Sequence, residues 1–412
     1  MERQFYPGAD ARRRLKTRLL YAANAIWAVP AVLLMRLVRP LVHIRATVLL
    51  GYRIGHFVAD TSIILSRRAA ERPRRPTYDL FWIDKSCNEQ WARMVSRRLF
   101  VRPWVRYVAG FNQLIPGGEK HRVRLPDWSD AVTEYEPLRL SNERFPFTAA
   151  EEEAARSWLR QRGWRDGERF VCLLARDAAY LRHEAPRTGR SADAFDYHSY
   201  RDTDIRDYEL AVRQLLEKGY WVIRLGKVVH ERLPVAHPKF IDYPFAEGRC
   251  DLLDIWLSAR CSLFVSTSTG IDIIPVVYGT PPLVCVNALP LFGQLAFLGR
   301  LWVPKHLRWK DSGRRLTLRE HCEHAYARSD DYKRAGILIE DLSPEEIASA
   351  VAEGESRLRG AWIETEDNEC RQRRAWDIQT HMPGADKYHP YVHPEARLGS
   401  EWLRSMGDTF LE

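Results

Sequence analysis

Residues 264–281 read FVSTSTGIDIIPVVYGTP. Four consecutive hydroxyl side chains, Ser266, Thr267, Ser268 and Thr269, follow an apolar run, CSLFV (261–265), and Gly270 and Asp272 come next. The apolar run is short and β-prone and reads as a buried strand. Gly270–Tyr278 reads as a short helix entered through a Ser/Thr cap, and PLVCV (282–286) as the next strand. Gly279 ends that helix, and Pro281 and Pro282 stop it from continuing. At the C-terminal end of a parallel strand, a loop of this make-up turns hydroxyls, backbone N–H groups and a helix N-terminus toward an anion. The competing reading is a capped turn that binds nothing, so its surroundings decide.

Those surroundings are basic. RFVCLLARD (169–177) reads as a strand closed by Arg176, and YWVIRLGK (220–227) as a strand carrying Arg224 and Lys227 at its end. Arg201 lies in SYRDTDIRDY (199–208), just before a predicted helix over Ile205–Lys218. FIDYP (240–244) reads as a further short strand and DLLDIWLSA (251–259) as a helix. This alternation implies a mostly parallel sheet covered by helices, with ligands beyond the strand C-termini. For Arg176 and Arg224 a phosphate or sugar contact competes with an ion pair to a neighbouring acid such as Asp177 or Asp272. Asp272 could also hold a sugar hydroxyl or fix the loop, and Asn287, ending the next strand, is a weaker base or ribose contact. The DTD at 202–204 has the letters of a metal-binding pair, but flanking Arg201 and Arg206 favour a helix cap with surface ion pairs. No essential metal is expected.

A second loop stands earlier, in HIRATVLLGYRIGHFVADTSIILSRR (43–68). Ala46–Leu50 reads as a strand, 51–56 as a tight loop and Phe57–Ser66 as a helix, with another strand at DLFWI (79–83). Arg53, Gly55 and His56 occupy this loop, and Asp60 follows one turn into the helix. A neutral imidazole accepts a hydroxyl proton near neutral pH, which makes His56 the candidate general base. The helix N-terminus disfavours imidazolium and so also weakens that base. Asp60 as the true base, His56 as a donor to an oxygen, and His56 as a plain cap remain open. Arg53 could hold a charged acceptor or the diphosphate.

The 412 residues carry a net charge of +9, enough chain for two domains and a basic surface suited to anionic partners. Arginines scattered over helices and tail, with aromatics in apolar contexts, speak against a specific nucleic-acid platform. The seven cysteines form no CxxC pair and three lie in predicted strands, which argues for a reducing compartment. No GxGxxG follows a strand, which excludes the usual dinucleotide fingerprint. LLYAANAIWAVPAVLLM (19–35) is uncharged, with Arg12, Arg13, Arg14, Lys16 and Arg18 before it and Arg36 and Arg39 after. It suits a membrane-associated helix, with a buried or homo-oligomer-forming helix as the alternative; no cleavage signal follows it. The expected organisation is this helix (1–42), an acceptor domain (43–150), a nucleotide-sugar domain (151–340) and a C-terminal helix and tail (341–412).

In their order along the chain, the GYRIGH loop, ARD, SYRDTDIRDY, VIRLGK and the STSTGID–YGTPP block resemble glycosyltransferases of the GT-B type. The likeness spans roughly 43–310. It is nearest to a poorly characterised bacterial group acting in surface polysaccharide or glycolipid synthesis, and more distant to heptosyltransferases and some fucosyltransferases. The resemblance implies an α/β fold of two Rossmann-like domains facing a cleft. The second domain would hold a nucleotide-sugar donor and the first a saccharide or lipid-linked acceptor. It implies no cofactor beyond the donor, and a cytoplasmic enzyme peripheral to the inner membrane face. Heptosyltransferases carry a glycine followed by an aspartate where this chain has Gly55 and His56. A non-catalytic carbohydrate or lipid-carrier binding protein would share the same features.

Overall fold

A computed structural model describes residues 11–126, 143–184, 197, 199–279, 283–292, 300–385 and 396–412, with the side chains of 11–14, Glu184 and Arg300 excepted. Pro281 and Pro282, expected to stop a helix, lie outside the described residues. The described residues form two compact units, one ending at Thr148 and one running from Ala149 to Glu412.

The first unit is built on three parallel strands in the order β1 (His43–Leu50), β2 (Thr77–Asp84) and β3 (Phe100–Val101). The helix Ile54–Ala70 crosses from β1 to β2, starting and ending further out than the apolar run alone suggested. The helix Val105–Leu114 packs on β1 and β2, and the N-terminal helix Ala11–Leu37 packs along it. Ala28, Val32 and Met35 supply the buried side of the N-terminal helix, with Val32 and Met35 clustering with Val105, Val108 and Ala109.

The second unit contains a seven-stranded parallel sheet. Its strands in chain order are β4 (Phe170–Leu174), β5 (Trp221–Arg224), β6 (Phe240–Asp242), β7 (Leu263–Ser266), β8 (Leu283–Val286), β9 (Arg300–Val303) and, beyond the antiparallel pair β10 (His306–Trp309) and β11 (Ile337–Glu340), β12 (Arg397–Leu398). In space they run β12-β9-β8-β7-β4-β5-β6. From β4 the chain first builds outward through β5 and β6, then returns to β4's other side and builds outward through β7, β8 and β9. The strand order therefore reverses between β4 and β7, the place where open sheets of this kind bind ligands. Every residue of β5, β7 and β8 is buried, and so are the first four of β4, as expected for strands covered on both faces.

Helices Glu209–Glu217, Asp251–Arg260 and Pro344–Leu358 provide that cover. The last approaches so closely that a Cβ on Gly354 would lie 2.3 Å from Val284 Cγ2. Buried Glu353 on the same helix accepts the Ser400 N–H at 2.7 Å and hydroxyl at 3.0 Å. RQRR (371–374), which reads as a solvated run, belongs to the helix Glu366–Thr380, where buried Gln372 brackets Leu398 through its N–H and C=O and so anchors β12.

Candidate functional site

β7 ends at Ser266, and the hydroxyl run turns the chain into a single 3₁₀ turn, Gly270–Asp272, and then the helix Ile273–Tyr278. The expected Ser/Thr cap is present as a capping box between Thr269 and Asp272. Asp272 is buried, and its carboxylate accepts the Ser266 hydroxyl at 2.5 Å, the Thr269 hydroxyl at 2.8 Å and the Thr269 N–H at 2.8 Å. These bonds occupy Asp272 with its own loop. Ser268 takes a left-handed conformation (φ 60°), and Ser268, Thr269 and Gly270 are the accessible members of the run, whereas Ser266 and Thr267 are fully buried. Gly279 caps the helix at φ 65°.

Thr267 faces the neighbouring strand instead. The Arg176 N–H, just beyond β4, donates to Thr267 Oγ1 at 3.1 Å, which joins the two loops at the point of strand reversal. Arg176 Nε bonds Asp202 Oδ1 at 3.2 Å, so its partner is neither Asp177 nor Asp272. Asp177 caps the helix Ala179–Glu184 through the Ala179 N–H at 2.8 Å and takes the His230 N–H at 3.0 Å. Arg201 Nη2 donates to the Ser268 carbonyl, and its Nε is buried with no partner among the described residues.

At this strand reversal Arg201 bonds a carbonyl and, among the described residues, no carboxylate. Asp202 is the one carboxylate bonded to either arginine among the described residues, and burial pushes its pKa up despite Arg176. Burial, followed by the neighbouring Arg201 charge, lowers the pKa of Arg176. Lys305, almost wholly buried just after β9, donates to the Asp202 carbonyl at 2.5 Å and pairs with Asp341 at 2.6 Å. Two neighbouring guanidinium groups, of which Arg176 bonds a carboxylate and Arg201 a backbone carbonyl, favour an added anion, and the fork of each suits phosphate oxygens.

Other predicted residues stand apart from this pair. Arg224 is 1% exposed; its Nη1 bonds the Glu231 carbonyl at 2.6 Å and Asp242 at 3.4 Å. Lys227 lies 4.0 Å from Asp251. Asn287, at φ 52°, accepts the Leu342 N–H at 2.7 Å and donates to Thr203 Oγ1 at 3.0 Å, so it braces the floor beneath 201–203. In the DTD stretch Asp204 caps the 3₁₀ turn Ile205–Tyr208 and pairs with Arg206, as the surface reading expected. Among the described residues no group of three or more His, Cys, Asp and Glu could hold a metal ion. Sequence reasoning missed Lys305 and the pairing role of Asp202; the available signal was a lysine directly after the apolar run LWVP.

In the first unit, Arg53 is the N-cap of the helix Ile54–Ala70 with extended backbone, and no side chain caps that end. His56 is exposed in the first turn, and desolvation by its surroundings, followed by the Arg53 charge, lowers its pKa. Asp60, one turn on, is 5% exposed, and burial pushes it up to about 7 against the pull of Arg67. Half-buried Gly55 separates Arg53 from His56 by a single turn of backbone.

The chain matches no protein-family model and no curated protein. Among solved structures, a family 9 glycosyl transferase from Veillonella parvula aligns at a TM-score of 0.41 and 11% identity, over 64% of this chain and 86% of its own. The UDP-GlcNAc 2-epimerase of Methanocaldococcus jannaschii aligns at a TM-score of 0.23 and 9% identity, over 68% of this chain and 71% of its own. These are distant structural similarities; at such scores neither assigns a reaction to this chain, and neither singles out heptosyltransferases or fucosyltransferases.

Proposed function

We propose that this protein is a GT-B type glycosyltransferase that moves a sugar from a nucleotide-sugar donor to a saccharide or lipid-linked acceptor in the cytoplasm, beside the membrane that its N-terminal helix can reach. One observation carries the reading: Arg176 and Arg201 stand close together at the strand reversal of a parallel sheet, Arg176 paired with half-buried Asp202 and Arg201 held by the Ser268 carbonyl. The donor diphosphate binds there, against both guanidinium groups and the accessible residues Ser268, Thr269 and Gly270. Asp272, Thr267, Ser266 and Asn287 hold that loop and its floor in place. Arg224 and Lys227 act through the packing around β5.

In the reaction the acceptor hydroxyl oxygen forms a bond to the anomeric carbon as the bond from that carbon to the diphosphate oxygen breaks. The electron pair leaves with the nucleoside diphosphate, and the arginines stabilise the growing charge in a site of low dielectric. The hydroxyl proton passes to His56, with Asp60 as the competing acceptor and Arg53 available to a charged acceptor. With two guanidinium groups on the diphosphate, no divalent ion is needed.

Calorimetry with uridine, guanosine, adenosine and cytidine diphosphates, in chelator, tests this. One of them should bind, and Arg176→Ala and Arg201→Ala should each weaken binding by about 2–5 kcal/mol. Unchanged affinity in both variants, or binding only after metal is restored, would overturn the reading. Donor binding without sugar transfer to any acceptor would favour the non-catalytic carrier-binding protein.

A further inference from the structure

The N-terminal helix is apolar on two opposite sides, and only one of them is used. Its inner side is bound to the unit it belongs to at both ends. The Tyr21 hydroxyl donates to the Arg106 carbonyl at 3.3 Å, and Arg36 donates to the Asn112, Ile115 and Pro116 carbonyls at 3.0, 2.9 and 2.7 Å. The outer side repeats at helical spacing through Leu19, Ile26 and Leu33, joined by Leu34 and Leu37, and all five are exposed, Ile26 by 83%. From Leu19 to Met35 neither side carries a charge.

This outer side continues onto the neighbouring segment. The Trp27 ring lies 6.4 Å from that of Trp104, which lies 6.3 Å from Phe100, and the Arg102 guanidinium stands 4.7 Å above Phe100. All three aromatic residues are partly exposed. An aromatic run carrying a guanidinium matches the headgroup level of a bilayer, where Trp and Arg place apolar bodies inward and polar tips outward. Lys16 and Arg18 are exposed just before the apolar stretch, and no acidic residue occurs between Ala11 and Leu37.

We propose that this face seats the first unit on an anionic lipid bilayer, with the helix lying in the plane of the interface and not crossing it. Length alone permits a span, since 27 residues reach about 40 Å. A crossing would also draw the attached helix Val105–Leu114, with Arg106, Asn112 and the carbonyls held by Arg36, into hydrocarbon, where polar backbone without water is strongly disfavoured. Lying flat keeps every one of those bonds and buries only the unused side. This inference refines the membrane placement given above but rests on the surface of the first unit, independently of sugar transfer.

The full chain should sediment with phosphatidylcholine vesicles containing phosphatidylglycerol, weakly or not at all with pure phosphatidylcholine, and alkaline carbonate should release it. The double variant Ile26→Glu, Leu33→Glu changes exposed positions only and should lose at least about tenfold in vesicle affinity with an unchanged circular dichroism spectrum. Lys16→Gln and Arg18→Gln should each cost about fivefold on the anionic vesicles. Equal binding of the double variant and the wild type would overturn the proposal, and so would retention after carbonate. Self-association in lipid-free solution that the double variant abolishes, without vesicle binding by the wild type, would give the face to a second copy and overturn it too. None of these readouts depends on diphosphate binding, so failure of the transferase reading leaves them unaffected.

Discussion

The Arg176 N–H donates to the Thr267 hydroxyl at 3.1 Å, across the boundary where the sheet of the second unit reverses its strand order. Thr267 is fully buried, so this is a fixed link between the loop after β4 and the loop after β7. It sets where the Arg176 side chain begins relative to Ser268, whose carbonyl holds Arg201. One hydrogen bond thereby registers both arginines.

Thr267→Val keeps the shape of that side chain and removes the acceptor. Leaving the Arg176 N–H without its partner should cost about 1–3 kcal/mol of stability, read as a lower denaturation midpoint. Diphosphate affinity should fall with it, because the arginine pair loses its register. Thr267→Ser, which keeps the acceptor, should restore most of both.

Arg224 and Arg176 both close strands, yet they predict opposite phenotypes. Arg224→Ala leaves largely buried Asp242 with the Leu233 N–H but without its paired cation, which should cost on the order of 3 kcal/mol of stability while diphosphate binding by the folded protein stays near wild type. Arg176→Ala should reverse the pattern. A calorimetric loss of binding in Arg224→Ala at temperatures where it remains folded would return that residue to the anion site.

Much of the second unit was legible because its strands are buried on both faces and read as short apolar runs; CSLFV and PLVCV correspond to β7 and β8, and Thr269 caps where a threonine before a glycine and an acid should. Which acid each arginine meets was not legible. That depends on β5 lying beside β6, which brings Asp242 to Arg224, and on the turn at 199–204, which brings Asp202 to Arg176. Neither pairing has a local signature. β12 is two residues long and is fixed by Gln372 and by the Trp302 carbonyl, which accepts the Gly399 N–H, both from elsewhere in the chain, so no periodicity announces it. Asp60 was visible as a carboxyl one turn from His56, but its burial among the apolar positions of the helix is a tertiary fact.

The pH dependence of turnover separates His56 from Asp60. His56 is held below its ordinary value of 6.5 and Asp60 is pushed up to about 7, so a base at His56 gives a rise centred below 6.5, and a base at Asp60 gives a rise through about 7. His56→Gln should lower turnover by about 10²- to 10⁴-fold with donor affinity nearly intact. Near-normal turnover in His56→Gln, with a large loss and an abolished limb in Asp60→Asn, would transfer the role to the carboxylate.

His321 makes the second unit sensitive to acid. It is fully buried against Phe410, neither ring nitrogen has a partner among the described residues, and burial, followed by the neighbouring His306, pulls its pKa down to about 3. Unfolded, the imidazole titrates near 6.5. Between those values the unfolded chain binds a proton that the folded protein refuses, so stability is complete above about 6.5 and falls as pH drops toward 3, by up to about 1.4 kcal/mol per pH unit. Asp60 acts in the opposite sense: its carboxyl stays protonated up to about 7 when folded, so its contribution is present below the ordinary carboxylate range and is lost as pH rises to neutrality. The two are separated by the difference between wild type and His321→Leu in urea unfolding from pH 7.5 to 4.5. That difference should shift steadily in favour of the variant as pH falls below 6.5, with a slope near one proton; a flat difference would mean that His321 charges inside the folded protein.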